Sequence, residues 1–198
     1  MVTVPYQLAA AAAAAALGAL LLFRLKRLRR MVKRRSRLDR DQLWERIHGS
    51  DWGDLTTSNY GFAPAEGEGP ERFQHQMYLE LVKLAAASGR IQAETSLLEV
   101  SCGRGGGLAH LVAHWPGPVR AVGIDIAPSA IRACRRSFSH LANLRFTEGN
   151  ALSLPFGDGS FDAVVNVEAS NDYRDFDGFF AEVARVLRPG GLFLYADS

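Results

Sequence analysis

A chain of 198 residues, 47% of them apolar, is enough for one ordinary domain plus an appendage. The net charge of +2 conceals a split: residues 24–40 hold ten Lys/Arg against Asp39 alone, a segment of +9 that leaves −7 on the remainder. A mildly acidic globular part argues against a nucleic-acid-binding face there. The two cysteines, Cys102 and Cys134, do not form a disulfide framework pattern and suit a reducing compartment.

Taken in chain order, residues 1–23 are uncharged, and Leu8 to Phe23 is almost entirely Ala and Leu. A helix of ~20 residues at ~1.5 Å each matches a hydrocarbon layer of ~30 Å. Lys and Arg on the C-terminal flank prefer the cytoplasmic side. The expectation is a transmembrane anchor at 1–23 and a basic juxtamembrane segment at 24–40. That makes a single-pass membrane protein with its globular domain facing the cytosol. The basic run can also touch anionic headgroups. Two alternatives stay open. A signal or organelle-targeting peptide would carry charge before or among the apolar residues. The other is a soluble Ala-rich helix.

Residues 41–93 are expected to hold N-terminal helices and a lid. The pattern predicts a short amphipathic helix over 41–48. A turn-rich loop follows over 49–70, with Trp52, Tyr60 and Phe62 embedded either as a substrate lid or as apolar pins. A helix over 71–87 has Phe73, Met77, Leu81 and Leu84 on one face and stops at Gly89. From 94 to 198 strands and helices alternate. Strands are predicted at Ser96–Val100, Val119–Asp125, Leu144–Thr147, Phe161–Val167 and Leu192–Tyr195. Helices are predicted to about Trp115, from Pro128 to about His140, and from Asp177 to Leu187. This alternation predicts an α/β fold, a Rossmann-like parallel sheet with helices on both faces. It stops at Ser198 just after the fifth strand, so the fold reads as truncated, with an edge left for another chain or the N-terminal segment to cover.

The chemistry concentrates after the first strand, in Glu99-Val-Ser-Cys-Gly-Arg-Gly-Gly-Gly107. Glycines there let a ligand approach the main chain, and the helix that follows offers unpaired N–H groups. Dinucleotide folds use the same physics, but their third small residue would fall at Leu108. Glu99 favours a cationic amino group over a pyrophosphate. Asp125, ending the second strand, suits ribose hydroxyls.

With Leu154-Pro-Phe156, Phe161-Asp-Ala-Val-Val-Asn-Val-Glu-Ala-Ser170 and Leu187-Arg-Pro-Gly-Gly191, these motifs make the stretch from about Ser96 to Ser198 resemble the class I S-adenosylmethionine (SAM) methyltransferases. The likeness is greatest to those acting on phthiotriolone, macrolides and other polyketide-type small molecules, with sterol methyltransferases more distant. Ser58-Asn-Tyr-Gly-Phe62 resembles the aromatic lid segment of such enzymes. The resemblance implies SAM as cofactor, with Glu99, Ser101, Cys102, Gly103 and Gly105 around its methionine part. Asp125 would hold the ribose, with Ile126 against the adenine. Asn150 and Ala151 would border the adenine, and Asn166 to Glu168 would line the methyl-transfer side.

The sequence departs from that group in three ways. Ser101 stands for the first glycine of the turn. Asn150 replaces an acid, although its carbonyl can still accept from the adenine amino group. Asn171 and Asp172 stand where relatives place a His. A hydroxyl acceptor benefits from a general base, for which Glu168, Asp172 and His75 are the candidates. His75 reads more readily as an exposed helix residue, and Asp172 as a loop or cap residue. His110 and His114 lie one turn apart without further ligands, so no metal site is expected. Arg132, Arg135 and Arg136 read as a solvated helix face. The leading expectation is a membrane-anchored methyltransferase acting on a lipophilic small molecule, at a hydroxyl oxygen. The alternatives are a catalytically silent, membrane-tethered partner protein with the SAM fold, and an NAD-dependent oxidoreductase.

Overall fold

The computed structural model describes residues 40–197. The expected anchor at 1–23, and the basic segment up to Asp39, lie outside the described residues. Among the described residues, no helix is long and apolar enough to cross a membrane. The chain divides into two compact units, Met1–Leu43 and Trp44–Ser198. Of the first, the helical residues 40–43 are described.

The second unit opens helical over 44–49 (α1), and an irregular stretch leads to α2 (Arg72–Ala87). Strands and helices then alternate: β1 (Thr95–Val100), α3 (Gly106–His114), β2 (Val119–Asp125), α4 (Pro128–Phe138), β3 (Leu144–Glu148), β4 (Phe161–Val167), α5 (Phe176–Val186) and β5 (Leu187–Ala196). All strand pairs are parallel, in the order β3-β2-β1-β4-β5. Chain order reverses between β1 and β4, so their carboxyl ends flank the crevice where such sheets bind ligands.

The central strands β1 and β4 are apolar on both faces because both faces are covered. Leu97, Ala121, Ala163 and Val165 pack with Tyr78, Leu81, Leu108, Leu111 and Ile131 of α2, α3 and α4. Leu98, Val100, Ile124 and Val164 point the other way, against Phe179, Val183 and Val186 of α5. Leu97, Leu98 and Leu108 are fully buried, each contributing about 1.5–3 kcal/mol. Pro128 opens α4 where its missing N–H costs nothing.

Two local expectations are corrected. On α2 the buried face is Gln76, Tyr78, Leu81, Val82 and Ala85, while Leu84 is exposed. The helix is rotated from its apolar periodicity because Tyr78 reaches a buried polar partner. Arg188–Gly191 does not separate helix from strand. Leu187 already pairs with Phe161, and the ladder resumes at Leu192 with Ala163, so these four residues bulge out within β5. Arg188 holds the bulge by donating to Asp162 Oδ1 at 2.6 Å. Arg132, Arg135 and Arg136 of α4 lie on an exposed face, as expected. Arg132 pairs with Glu45 at 3.1 Å, and Arg135 donates to the Phe146 carbonyl at 2.9 and 3.1 Å.

Candidate active site

β1 ends in a tight turn. Ser101 takes φ +59°, Cys102 N donates to Ile124 O at 2.8 Å, and Gly105 N returns to Cys102 O at 3.0 Å. Gly105 caps α3 at φ +84°, and a Cβ there would lie 2.8 Å from the Phe146 ring. At Gly107 a Cβ would overlap the Tyr78 ring. Glycine at 107 is therefore what lets α2 bring Tyr78 down beside β1.

Tyr78 Oη donates to Glu99 Oε1 at 2.8 Å, while Glu99 Oε2 is buried without a hydrogen-bond partner. Burial pushes the Glu99 carboxyl up to about 8, despite the opposing Tyr78 hydrogen bond and with a further push from the charge of Asp125. At the end of β2, Asp125 accepts from Gly103 N through Oδ2 and from Ala127 N through Oδ1, both at 2.9 Å. Burial raises its carboxyl, against the pull of these amides and of His48. Asp125 thus braces the turn as well as facing it. Ile126 beside it is 36% exposed. Gly149 N donates to Asp125 O at 3.0 Å and so brings Asn150 and Ala151 to the same end of the sheet. Asn150 Oδ1 accepts from Leu152 N at 2.9 Å, so the carbonyl expected to meet an adenine already closes a local turn.

Of the expected positions, Ser101, Cys102, Gly103 and Glu168 line a cleft, while Glu99, Gly105, Asp125, Ile126, Asn150, Ala151 and Asn166 do not. One wall is Ser101, Cys102, Gly103 and Arg104; the other is Thr56, Thr57, Ser58 and Asn59. Tyr78, Val167 and Glu168 also line it. Of the three candidate bases only Glu168 does so. It sits after β4 at φ +45°, a strained angle for a residue with a side chain, and accepts from Tyr60 N at 2.6 Å. Asp172 lies in a 3₁₀ turn (Ser170–Asp172) and accepts from Trp44 Nε1 at 3.0 Å. His75 is half-buried rather than exposed. It stacks on His110 with ring centroids 4.2 Å apart, and His110 contacts His114 at 4.3 Å. Among the described residues no group of His, Cys, Asp or Glu could hold a metal. Asn166 is fully buried beneath the cleft. Its Nδ2 donates to Val100 O and Tyr173 Oη, each at 3.0 Å, and Oδ1 has no partner.

Four contributors carry no sequence signal of their own. Tyr78 is hidden by the apolar periodicity of α2. Tyr173 shares a 2.5 Å hydrogen bond with Ser101 Oγ. Thr56 O accepts from Gly106 N at 3.2 Å, in the first turn of α3. His48 lies over Gly103, between Trp44 and Trp52. Cys102 and Cys134 are both buried and free.

The donor set fits SAM. A buried carboxyl with one unsatisfied oxygen suits a cationic amino group. A turn of bare main chain at the crevice admits close approach, and a second carboxyl stands at the adjoining strand end. Glu99 and the Ser101–Gly105 turn would hold the amino-acid part, Asp125 the ribose.

A methyltransferase-domain family profile matches residues 98–195. The fatty-acid O-methyltransferase of Mycolicibacterium smegmatis is 40% identical over 153 residues, covering 73% of this chain and 53% of that protein. The phthiotriol/phenolphthiotriol dimycocerosates methyltransferase of Mycobacterium tuberculosis is 50% identical over 101 residues, covering 51% of this chain and 37% of that protein. The chain therefore spans about half the length of the curated relatives it matches, or less. In fold it is similar to geranyl diphosphate C-methyltransferase from Streptomyces coelicolor, solved with S-adenosyl-L-homocysteine (SAH). The TM-score there is 0.61 at 21% identity, over 77% of this chain and 62% of that one.

Through residues 98–195 the chain belongs to the class I SAM-dependent methyltransferases. Within that class it is related to the fatty-acid and phthiotriol dimycocerosate methyltransferases. The cofactor of the family is SAM.

Proposed function

We propose that this protein transfers a methyl group from SAM to an oxygen, in the first instance a hydroxyl, of a lipophilic small molecule. The observation that carries this reading is the buried Glu99 carboxyl, whose Oε2 stands unsatisfied beside the glycine turn. The names of the relatives, a fatty-acid O-methyltransferase among them, support a lipid-like acceptor.

SAM supplies a methyl group already activated on a sulfonium, so the protein's task is alignment and exclusion of water. Tyr78 fixes Glu99 from one side and leaves its other oxygen for the cofactor's amino group. Asp125, bonded to the turn and to the next loop, keeps both in register. Glu168 is placed on the cleft wall to take the acceptor's proton, a role worth about 10²–10⁴-fold in rate. The exposed rings of Tyr60 and Phe62 beside this wall offer apolar contact to the acceptor.

The test is transfer of a labelled methyl group from SAM to long-chain fatty acids and long-chain alcohols. Labelled product from an alcohol is expected, and product from the acid alone would move the acceptor to a carboxyl. No product from either, by a chain that binds SAH, favours the second reading, a catalytically silent SAM-fold protein. That reading draws support from Asn171 and Asp172, which supply no imidazole. In either case residues 1–23 would tether the protein to a membrane, with the remainder on the cytosolic side. Retention in the pellet after alkaline carbonate washing is expected, and release would remove the anchor from the proposal.

A further inference from the structure

α1 sets one polar ring beside the glycine turn at Gly103. His48 is 4% exposed and stacks between Trp44 and Trp52, with centroids 5.6 and 5.4 Å away. The two indoles are themselves tied down: Trp44 Nε1 donates to Asp172 and Trp52 Nε1 donates to Ile47 O at 2.8 Å. Arg104, from the glycine turn, donates to His48 O at 3.0 Å and lies over the Trp52 ring at 5.2 Å. The imidazole is thus held in one orientation over the turn. A Cβ built on Gly103 would lie 3.4 Å from His48 Cε1 and 3.9 Å from Nε2. Despite this immobilisation Nδ1 is buried with no hydrogen-bond partner. A buried polar atom left so in a rigid setting needs an explanation, and packing alone would be served better by an apolar ring.

We propose that His48 is a cofactor-binding residue, roofing the glycine turn at Gly103 and hydrogen-bonding the ribose that Asp125 faces. This rests on the SAM reading of the cleft. The charged groups that face the ring are Asp125 from β2, Arg104 from the turn and Glu45 from its own helix. Burial lowers the imidazole's proton affinity, the two carboxylates oppose that, and Arg104 adds to it. The ring is therefore neutral at physiological pH. It can accept from one hydroxyl and donate to another, and it does not repel a sulfonium.

The experiment is calorimetric titration of SAH into the full chain, into H48F, which keeps the three-ring stack but removes both nitrogens, and into H48Q. Near-UV circular dichroism monitors the stack. H48F is expected to bind SAH about five- to tenfold more weakly with an unchanged spectrum, as for one lost hydrogen bond, and H48Q to recover most of that loss. In the unmodified chain, labelled His48 should shift its ring ¹³Cε1 resonance on saturation with SAH, a readout that does not depend on H48F folding. SAH binding by H48F within twofold of the unmodified chain, or a His48 resonance that stays put while the Gly103 amide moves, would overturn the proposal. An unmodified chain that is folded yet takes up no SAH would instead remove the cofactor reading, and His48 with it.

Discussion

Glu99 carries two opposed demands. Alone in the fold its carboxyl is held protonated up to about pH 8, chiefly by burial. An ordinary unfolded glutamate releases its proton near 4.3. Between those limits the folded chain holds the extra proton, so this group's contribution to stability is full at low pH and is lost as pH rises through 8. A cationic amino group placed against Oε2 reverses the preference and draws out the proton. Uptake of SAH at pH 7 should therefore release a proton, seen as binding heats that scale with the ionisation enthalpy of the buffer. Buffer-independent heats would show that Glu99 does not change state. E99Q should stabilise the free chain at pH 8 by about 1–3 kcal/mol, read as a higher melting temperature, while SAH affinity falls at least tenfold. Retained affinity would remove Glu99 from the site. The residue is legible in the sequence because an acid ending a strand before a glycine turn has few other uses. Its partner Tyr78 is not, since a tyrosine among Phe73, Met77 and Leu81 reads as one more apolar ring.

Periodicity reports the elements well where a single face is apolar. α4 and α5 keep Ile131, Cys134, Phe179 and Val183 inward, and the parallel strands declare themselves as apolar runs between turns. It fails where polar contacts set the orientation. α2 turns toward Tyr78–Glu99 and packs along α3 through the stacked His75 and His110, which no spacing rule connects. That stack has a consequence for acid stability. Burial, with the nearby charges of His75 and His114, depresses His110 to about 4, and burial lowers His75 too. Unfolded histidines bind protons near 6.5. The α2–α3 contact is therefore fully stabilising above that value and weakens as pH falls from 6.5 toward 4. Glu99 gains stability over the same range, so the His110 effect is read as a difference: as pH falls from 7 to 4, the thermal midpoint of the unmodified chain should fall relative to that of H110Q. An equal slope in H110Q would place acid sensitivity elsewhere.

At the scale of the molecule, the parallel sheet and a crevice beyond the carboxyl ends of its strands follow from the alternation of elements, whereas the strand order, and with it the crevice at β1 and β4, comes from the structure. The wall formed by residues 56–59 does not follow, because its contacts join segments far apart in the chain without a shared pattern. It is held from below by Glu71, which accepts from the amides of Thr56 and Thr57 at 2.9 and 2.6 Å and from both hydroxyls. Burial would raise the Glu71 carboxyl, but these bonds outweigh it and keep it low. From above, Tyr60 is tied to Glu168. Thr56 meanwhile sits against Gly106, where a bound amino acid would look for the first amides of α3. We expect cofactor entry to require this segment to swing outward. The cofactor's observed dissociation constant is then the intrinsic one divided by the fraction of chains caught open. Loosening the clasp with E71A should speed SAH association several-fold in stopped-flow fluorescence of Trp52. A rate that does not change would mean that molecules arrive by another door.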